Sequence, residues 1–140
     1  MKIIITGALG HIGSKATREL PRMFPGCEIV MIDNLLTQRY FSLFNLPEGG
    51  NYQFHEVDIL TTDLKPIFNG ANVALHFAAI TDATNSFQNR EKVEKDNYDG
   101  TVKVAKVCKE LDCPMIHLSS TSVYGTQKAV VAEDCSSDDL

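Results

Sequence analysis

Apolar positions change their period several times along the chain, and each change marks an element. Residues 2–6, Lys2-Ile3-Ile4-Ile5-Thr6, are a β-branched run cut off by Gly7, which predicts a buried strand. Residues 11–20 place Ile12, Ala16 and Leu20 at a spacing of four, the pattern of an amphipathic helix, and Pro21 with Pro25-Gly26 predicts its end. Residues 27–32 form a second apolar run closed by Asp33-Asn34. Residues 38–46 hold Tyr40, Phe41, Leu43, Phe44 and Leu46, a pattern that leaves a short helix and a packed loop both open. After the turn residues 47–51, residues 52–57 alternate as a third strand.

Thr61-Thr62-Asp63 predicts the cap of a short helix reaching Phe68, stopped by Asn69-Gly70. Residues 73–79 read as a fourth strand and residues 114–118 as a fifth. Between them, residues 90–111 carry the longest helical pattern. Val93, Tyr98, Val102, Ala105 and Leu111 lie near one face, broadened by Val104 and Val107. Strands alternating with helices predict an α/β fold: a doubly wound parallel sheet with right-handed crossovers and helices on both faces. Nothing repeats at a fixed period, and a polar tail closes the chain at Leu140.

Composition narrows the function classes. The chain has 140 residues, 44% of them apolar and 22% charged, which suits one globular domain over residues 1–140 and argues against disorder. A net charge of −5 disfavours nucleic acid and anionic membrane as partners. The longest apolar run near the N-terminus is three isoleucines, so neither a signal peptide nor a membrane span is expected, and the location read from this is cytoplasmic. The four cysteines, Cys27, Cys108, Cys113 and Cys135, form no Cys-x-x-Cys pair, and no paired histidines accompany them, so no metal site is expected. Cys27 and Cys108 read as small core residues.

The candidate chemistry lies in Thr6-Gly7-Ala8-Leu9-Gly10-His11-Ile12-Gly13, between the first strand and the first helix. A pyrophosphate needs backbone N–H groups at close range and the positive end of a helix dipole, and glycine allows both the close approach and tight helix–strand packing. The spacing is Gly-x-x-Gly-x-x-Gly. Asp33, 20 positions after Gly13, ends the second strand where an acid commonly binds the adenosine ribose hydroxyls of NAD. Its charge would repel the 2′-phosphate of NADP, although Arg39 lies near enough to leave NADP as the less favoured cofactor. His11, inside the loop, is a phosphate contact or a plain surface histidine. His55, His76 and His117 lie on strands and read as packing residues.

These residues and those that follow resemble the extended short-chain dehydrogenase/reductase family, and within it the NAD-dependent epimerase/dehydratase group of nucleotide-sugar enzymes that includes UDP-glucose 4-epimerase. The match begins with the glycine loop and Asp33-Asn34-Leu35. Val57-Asp58-Ile59 follows, where the family's Asp binds the adenine amino group. His76-Phe77-Ala78-Ala79 is similar to the segment beneath the pyrophosphate and ribose. Asp96-Asn97-Tyr98-Asp99-Gly100-Thr101 is similar to an Asn-x-x-Gly-Thr helix whose Asn lies near the cofactor. Ser119-Ser120-Thr121-Ser122-Val123-Tyr124-Gly125 is similar to the Ser-Ser-x-x-Val-Tyr-Gly loop. The resemblance implies a Rossmann-type fold with NAD held by Gly7, Gly10, His11, Ile12, Gly13, Asp33, Asn34, Asp58, Ile59, Phe77, Ala78, Ala79 and Asn97. It implies Ser120 as the residue that hydrogen-bonds the reacting sugar hydroxyl.

In the family a Tyr-x-x-x-Lys pair transfers the proton while hydride passes to NAD. Tyr124-Gly125-Thr126-Gln127-Lys128 has that spacing, but its tyrosine belongs to the Val-Tyr-Gly turn and Gly125 weakens the helix that would set both side chains on one face. The resemblance therefore implies that the true pair, the sixth strand and a substrate domain fall beyond Leu140, and that this chain alone is inactive. Thr121 and Ser122 stand where dehydratases carry Asp-Glu, which favours epimerase or simple dehydrogenase chemistry. Thr81 stands where UDP-glucose 4-epimerase has lysine. The expected substrate is a nucleotide sugar, a UDP-sugar first, and the full-length protein is expected to be a homodimer with residues 90–111 at the contact. Two alternatives remain open: a non-catalytic NAD-binding module, and a family reductase acting on a non-sugar carbonyl.

Overall fold

In the computed structural model, which describes residues 1–81 and 90–119, strands and helices alternate along the chain. The order is β1 (Lys2–Thr6), α1 (His11–Met23), β2 (Glu28–Asp33), a 3-10 helix (Tyr40–Leu43), β3 (Asn51–Glu56), α2 (Lys65–Phe68), β4 (Val73–His76), α3 (Arg90–Glu110) and β5 (Met115–His117). The five strands form one parallel sheet in the order β3-β2-β1-β4-β5. This is the α/β, Rossmann-type arrangement expected from the sequence. The winding direction reverses between β1 and β4, and such a switch point opens a crevice at the carboxyl edge of the sheet. The register sets Thr6 opposite both Ile32 and His76, and His76 opposite His117, at that edge.

The sheet is covered on both faces, which is why its inner strands read as unbroken apolar runs. Ile4, Val30, Ile32 and Ala74 pack with Leu64, Phe68, Val104, Val107 and Cys108 on the side of α2 and α3. Ile3, Ile5, Ile29, Met31 and Leu75 pack with Ala16 and Leu20 of α1, and with Leu43 and Leu46. Cys27 and Cys108 are buried, as expected. Burial, and then the neighbouring Cys113, pushes the Cys108 thiol up to about 12, so it packs as a neutral, unreactive group.

Several local expectations change. α1 does not stop at Pro21 but runs on to Met23. A proline this near the C-terminus forfeits one helical hydrogen bond, and the last turn still closes through Phe24 N–H donating to the Leu20 carbonyl at 2.8 Å. Pro21 is itself buried and lies against the Gly49-Gly50 turn. Ile12 is 55% exposed, so the buried stripe of α1 is Gly13, Thr17 and Pro21, flanked by Ala16 and Leu20. Residues 38–46 resolve into the short 3-10 helix, with Tyr40, Phe41 and Phe44 exposed. Arg18 of α1 holds that segment by donating to the carbonyls of Ser42 at 3.0 Å and Phe44 at 2.9 Å. β4 ends at His76, three residues early, because the chain turns across the glycine loop from Phe77 onward.

The buried face of α3 also differs from the expected one. Gly100, Val104, Val107 and Cys108 are buried, whereas Tyr98 is 69% exposed and Ala105 is exposed. The sheet accepts the stripe with small residues, where the helix comes closest, and leaves the aromatic outside. Replacing Val104 with alanine removes buried methyl groups and is expected to lower the unfolding free energy by about 2 kcal/mol. Tyr98→Ala is expected to change it by less than about 0.5 kcal/mol. Urea denaturation of both variants measures this, and a larger loss from Tyr98→Ala would contradict the observed helix face.

Candidate functional site

The site begins where β1 gives way to the glycine loop. Gly7 takes left-handed backbone, φ +66°, and a Cβ there would sit 2.6 Å from the Ala78 nitrogen and 2.7 Å from its Cα. Only glycine lets the two backbones meet so closely. A Cβ on Gly13 would strike the Gly7 carbonyl oxygen and lie 2.8 Å from Ala8 Cα, so α1 can start directly against the loop only with glycine there. Gly10 is different. A Cβ on it would meet just the Gly7 oxygen, at 3.3 Å, and its φ of −66° is ordinary. Two of the glycines are required by packing inside the protein, and the third leaves an open approach.

Gly10 is also the N-cap of α1. No side chain caps the helix, and no acid lies in its first turn. The first N–H groups of a helix have no intrahelical acceptor, and the dipole makes that end positive. His11 and Ile12 occupy the first turn with exposed side chains, and Gly13 is buried. A helix start of this kind, uncapped by any described side chain, suits an anion.

Hydrogen bonds tie the neighbouring strand ends to the loop. Leu9 N–H donates to Asp33 Oδ2 at 3.0 Å, and Leu35 N–H donates to Asp33 Oδ1 at 2.9 Å. The half-buried Asp33 therefore braces the glycine loop as well as its own turn. Asn34 Nδ2 donates to Asp58 Oδ2 at 3.4 Å, and Leu60 N–H donates to Asp58 Oδ1 at 2.8 Å, so the ends of β2 and β3 are joined. Ile59 packs against Gly100 of α3. Ser42 Oγ donates to the Leu9 carbonyl at 3.2 Å, anchoring the 3-10 helix to the loop.

On the other side of the crevice, Phe77 N–H donates to the Thr6 carbonyl at 3.0 Å and Ala78 N–H donates to Thr6 Oγ1 at 3.4 Å. Phe77 and Ala78 are half-buried and Ala79 is exposed. Asn97 acts on this segment: Ile80 N–H donates to its Oδ1 at 2.8 Å, and its Nδ2 donates to the Ile80 carbonyl at 3.1 Å. The structure thus gathers Gly7, Gly10, His11, Ile12, Gly13, Asp33, Asn34, Asp58, Ile59, Phe77, Ala78 and Ala79 around one sheet edge, with Asn97 behind them. Ser120, Thr121, Ser122 and the Tyr124–Lys128 spacing lie outside the described residues. Among the described residues, no group of three or more His, Cys, Asp or Glu side chains could hold a metal ion, and no helix is long and apolar enough to cross a membrane.

The family model of the NAD dependent epimerase/dehydratase family matches residues 3–140. The chain belongs to this family. Among family members it is 33% identical over 142 residues to the UDP-glucose 4-epimerase of Haemophilus influenzae, covering 96% of this chain and 41% of that protein. It is 35% identical over 129 residues to a trifunctional UDP-glucose 4,6-dehydratase, 3,5-epimerase and reductase of Arabidopsis thaliana, covering 88% of this chain and 19% of that one. The Bacillus cereus UDP-glucuronic acid 4-epimerase, solved with UDP-glucuronic acid and NAD, superposes with a TM-score of 0.83 at 30% identity, over 96% of this chain and 45% of that one. The chain thus spans less than half the length of these relatives.

His76, expected from the sequence as a strand packing residue within the segment His76-Phe77-Ala78-Ala79, does more than pack. Its Nδ1 lies 2.6 Å from Thr6 Oγ1, its Nε2 lies 3.1 Å from Thr101 Oγ1, and its ring stacks on His117 at 5.4 Å. The signal was present in the strand order: once β4 is set beside β1, Thr6 and His76 become register partners. Burial, and then the facing His117, pushes His76 down to about 4 from an ordinary value of 6.5. The folded chain holds the ring neutral, while the unfolded chain protonates it below 6.5. Its contribution to stability is full above pH 6.5 and is lost as the pH falls toward 4, at about 1.4 kcal/mol per unit. The difference in unfolding free energy between the protein and His76→Asn should shrink by that amount per unit from pH 6.5 to pH 5. Denaturant titrations at several pH values test this, and a constant difference would contradict it.

Proposed function

We propose that the chain is the cofactor-binding part of an NAD-dependent nucleotide-sugar epimerase, with a UDP-sugar as the substrate of the whole protein. The observation that carries this reading is the uncapped, acid-free start of α1 at Gly10, with the Gly7–Ala78 backbone contact on one side and the Asp33 carboxylate on the other. NAD fits these residues. Its pyrophosphate would take the N–H groups of His11, Ile12 and Gly13, the Gly10 N–H being already bonded to the Gly7 carbonyl at 3.1 Å, and its adenosine ribose would take the Asp33 carboxylate. Asn34, Asp58 and Ile59 would flank the adenine, and Phe77, Ala78 and Ala79 would line the nicotinamide side with Asn97 holding them. When bound, NAD supplies reversible hydride acceptance.

Ser120, just past β5, is proposed to hydrogen-bond the sugar hydroxyl, and the proton-transferring Tyr-x-x-x-Lys pair is proposed to lie beyond Leu140. The share of each relative that the chain covers supports this division. Homodimer formation through α3, where Tyr98 and Ala105 are exposed, and the cytoplasmic location expected from the sequence belong to the same proposal.

Titration of the chain with NAD, followed calorimetrically, tests the site. Gly10→Val should remove binding at millimolar NAD while changing the unfolding free energy by about 1 kcal/mol, since the one neighbour its Cβ would meet is the Gly7 oxygen at 3.3 Å. Binding at the original strength would refute the cradle.

Asp33→Ala weakens the brace on Leu9 for either cofactor, so the informative quantity is the ratio of affinities. The NAD to NADP preference should fall about tenfold, the worth of a charged hydrogen bond to a ribose hydroxyl plus the lost repulsion of the 2′-phosphate. An unchanged ratio would leave Asp33 as a brace alone.

A further inference from the structure

We propose that His76 is a positioning residue for the cofactor crevice, acting by fixing the direction of the Thr6 hydroxyl. The proposal rests on the NAD reading above and adds to it a residue that touches no cofactor.

Thr6 is fully buried at the end of β1, and its Oγ1 has two described neighbours able to hydrogen-bond with it. Ala78 N–H can only donate, so Thr6 Oγ1 accepts from it at 3.4 Å. The hydroxyl proton then needs an acceptor, and among the described residues that is His76 Nδ1, 2.6 Å away. His76 Nδ1 must therefore be bare, and its proton sits on Nε2, which donates to Thr101 Oγ1 at 3.1 Å. One tautomer satisfies the whole chain from Ala78 through Thr6 and His76 to Thr101. The ring, 1% exposed, has no room to adopt another arrangement without leaving a buried group unpaired.

The consequence lies at the floor of the crevice. Ala78 is the residue whose backbone meets Gly7. With the Thr6 proton turned toward His76, the Thr6 lone pairs face Ala78 N–H and hold the outgoing segment of β4 against the glycine loop. Without an acceptor at the Nδ1 position, the Thr6 hydroxyl is free to turn its proton elsewhere, the Ala78 N–H bond to Thr6 Oγ1 weakens, and the segment is held only by Phe77 N–H on the Thr6 carbonyl and by Asn97 on Ile80. The spacing available to a pyrophosphate over Gly7 and Gly10 would then change, although no contact to it had been removed.

The two amide replacements of histidine separate this role from simple filling of the core. Asparagine places its amide oxygen near the Nδ1 position and can accept from Thr6. Glutamine reaches toward the Nε2 position and Thr101, and leaves Thr6 without an acceptor. NAD affinity of the full chain, measured well below the melting temperature on variants whose circular dichroism matches the parent, should stay within about twofold for His76→Asn and weaken about tenfold for His76→Gln. Thr101→Val should stay within about twofold. If His76→Gln fails to fold, Thr6→Ser and Thr6→Val pose the same question: serine keeps the hydroxyl and should keep the affinity, and valine removes it and should weaken NAD about tenfold. Equal affinities for His76→Asn and His76→Gln, or an undiminished affinity in Thr6→Val, would overturn the positioning role and leave the cofactor reading standing. Absence of NAD binding by the parent chain would overturn the cofactor reading itself.

Discussion

The structure depends on one backbone contact, that of Gly7 with Ala78. β1 is the strand that pairs with neighbours from both halves of the sheet, so the loop leaving β1 and the segment leaving β4 must pass each other at the switch point. They do so at a distance that excludes a Cβ on Gly7. Gly13 makes the matching allowance on the helix side, where α1 starts against the Gly7 carbonyl. The outcome is a helix N-terminus brought to the mouth of a crevice, with no side-chain cap among the described residues. The open helix start is the by-product of how tightly three elements are made to converge.

Around that contact the chain arranges polar groups that serve two ends. Asp33 accepts from Leu9 and Leu35, Asn34 from β2 meets Asp58 from β3, Asn97 holds Ile80, and Thr6 links Ala78 to His76. Each of these residues fixes one loop relative to the next, so the ends of β1, β2, β3 and β4 behave as one edge. The nucleotide-binding residues expected for the family are thus also the residues that build the edge. That double use explains why the family motifs are spread so widely along the chain and yet meet in one place.

The elements of the fold were legible because parallel strands buried on both faces leave unbroken apolar runs, and these stand out between glycine and proline turns. The limits were local. Pro21 reads as a stop by its residue type, but a helix in its last turn tolerates it. Ile12 fits the spacing of four that marks a core face, yet it is exposed because the first turn of α1 opens on the crevice. Periodicity points Tyr98 inward, whereas Gly100 and Val104 are the residues that pack against the loop and the sheet. The glycine loop and Asp33 were legible from chemistry that needs those residues at that spacing. The Thr6–His76–Thr101 chain was not, because it crosses three elements and becomes visible only when strand order and register are known.

The central claim is that the carboxyl edge around Gly7, Gly10 and Ala78 is the cofactor site. Backbone amide chemical shifts of the isotopically labelled chain, followed during an NAD titration, test it most directly. The account predicts saturable shifts that are largest at Gly7, Gly10 to Gly13, Asp33 and Ala78, with residues at the opposite edge such as Met23, Phe24 and Cys27 unmoved. Shifts centred on that opposite edge, or none at millimolar NAD, would contradict it.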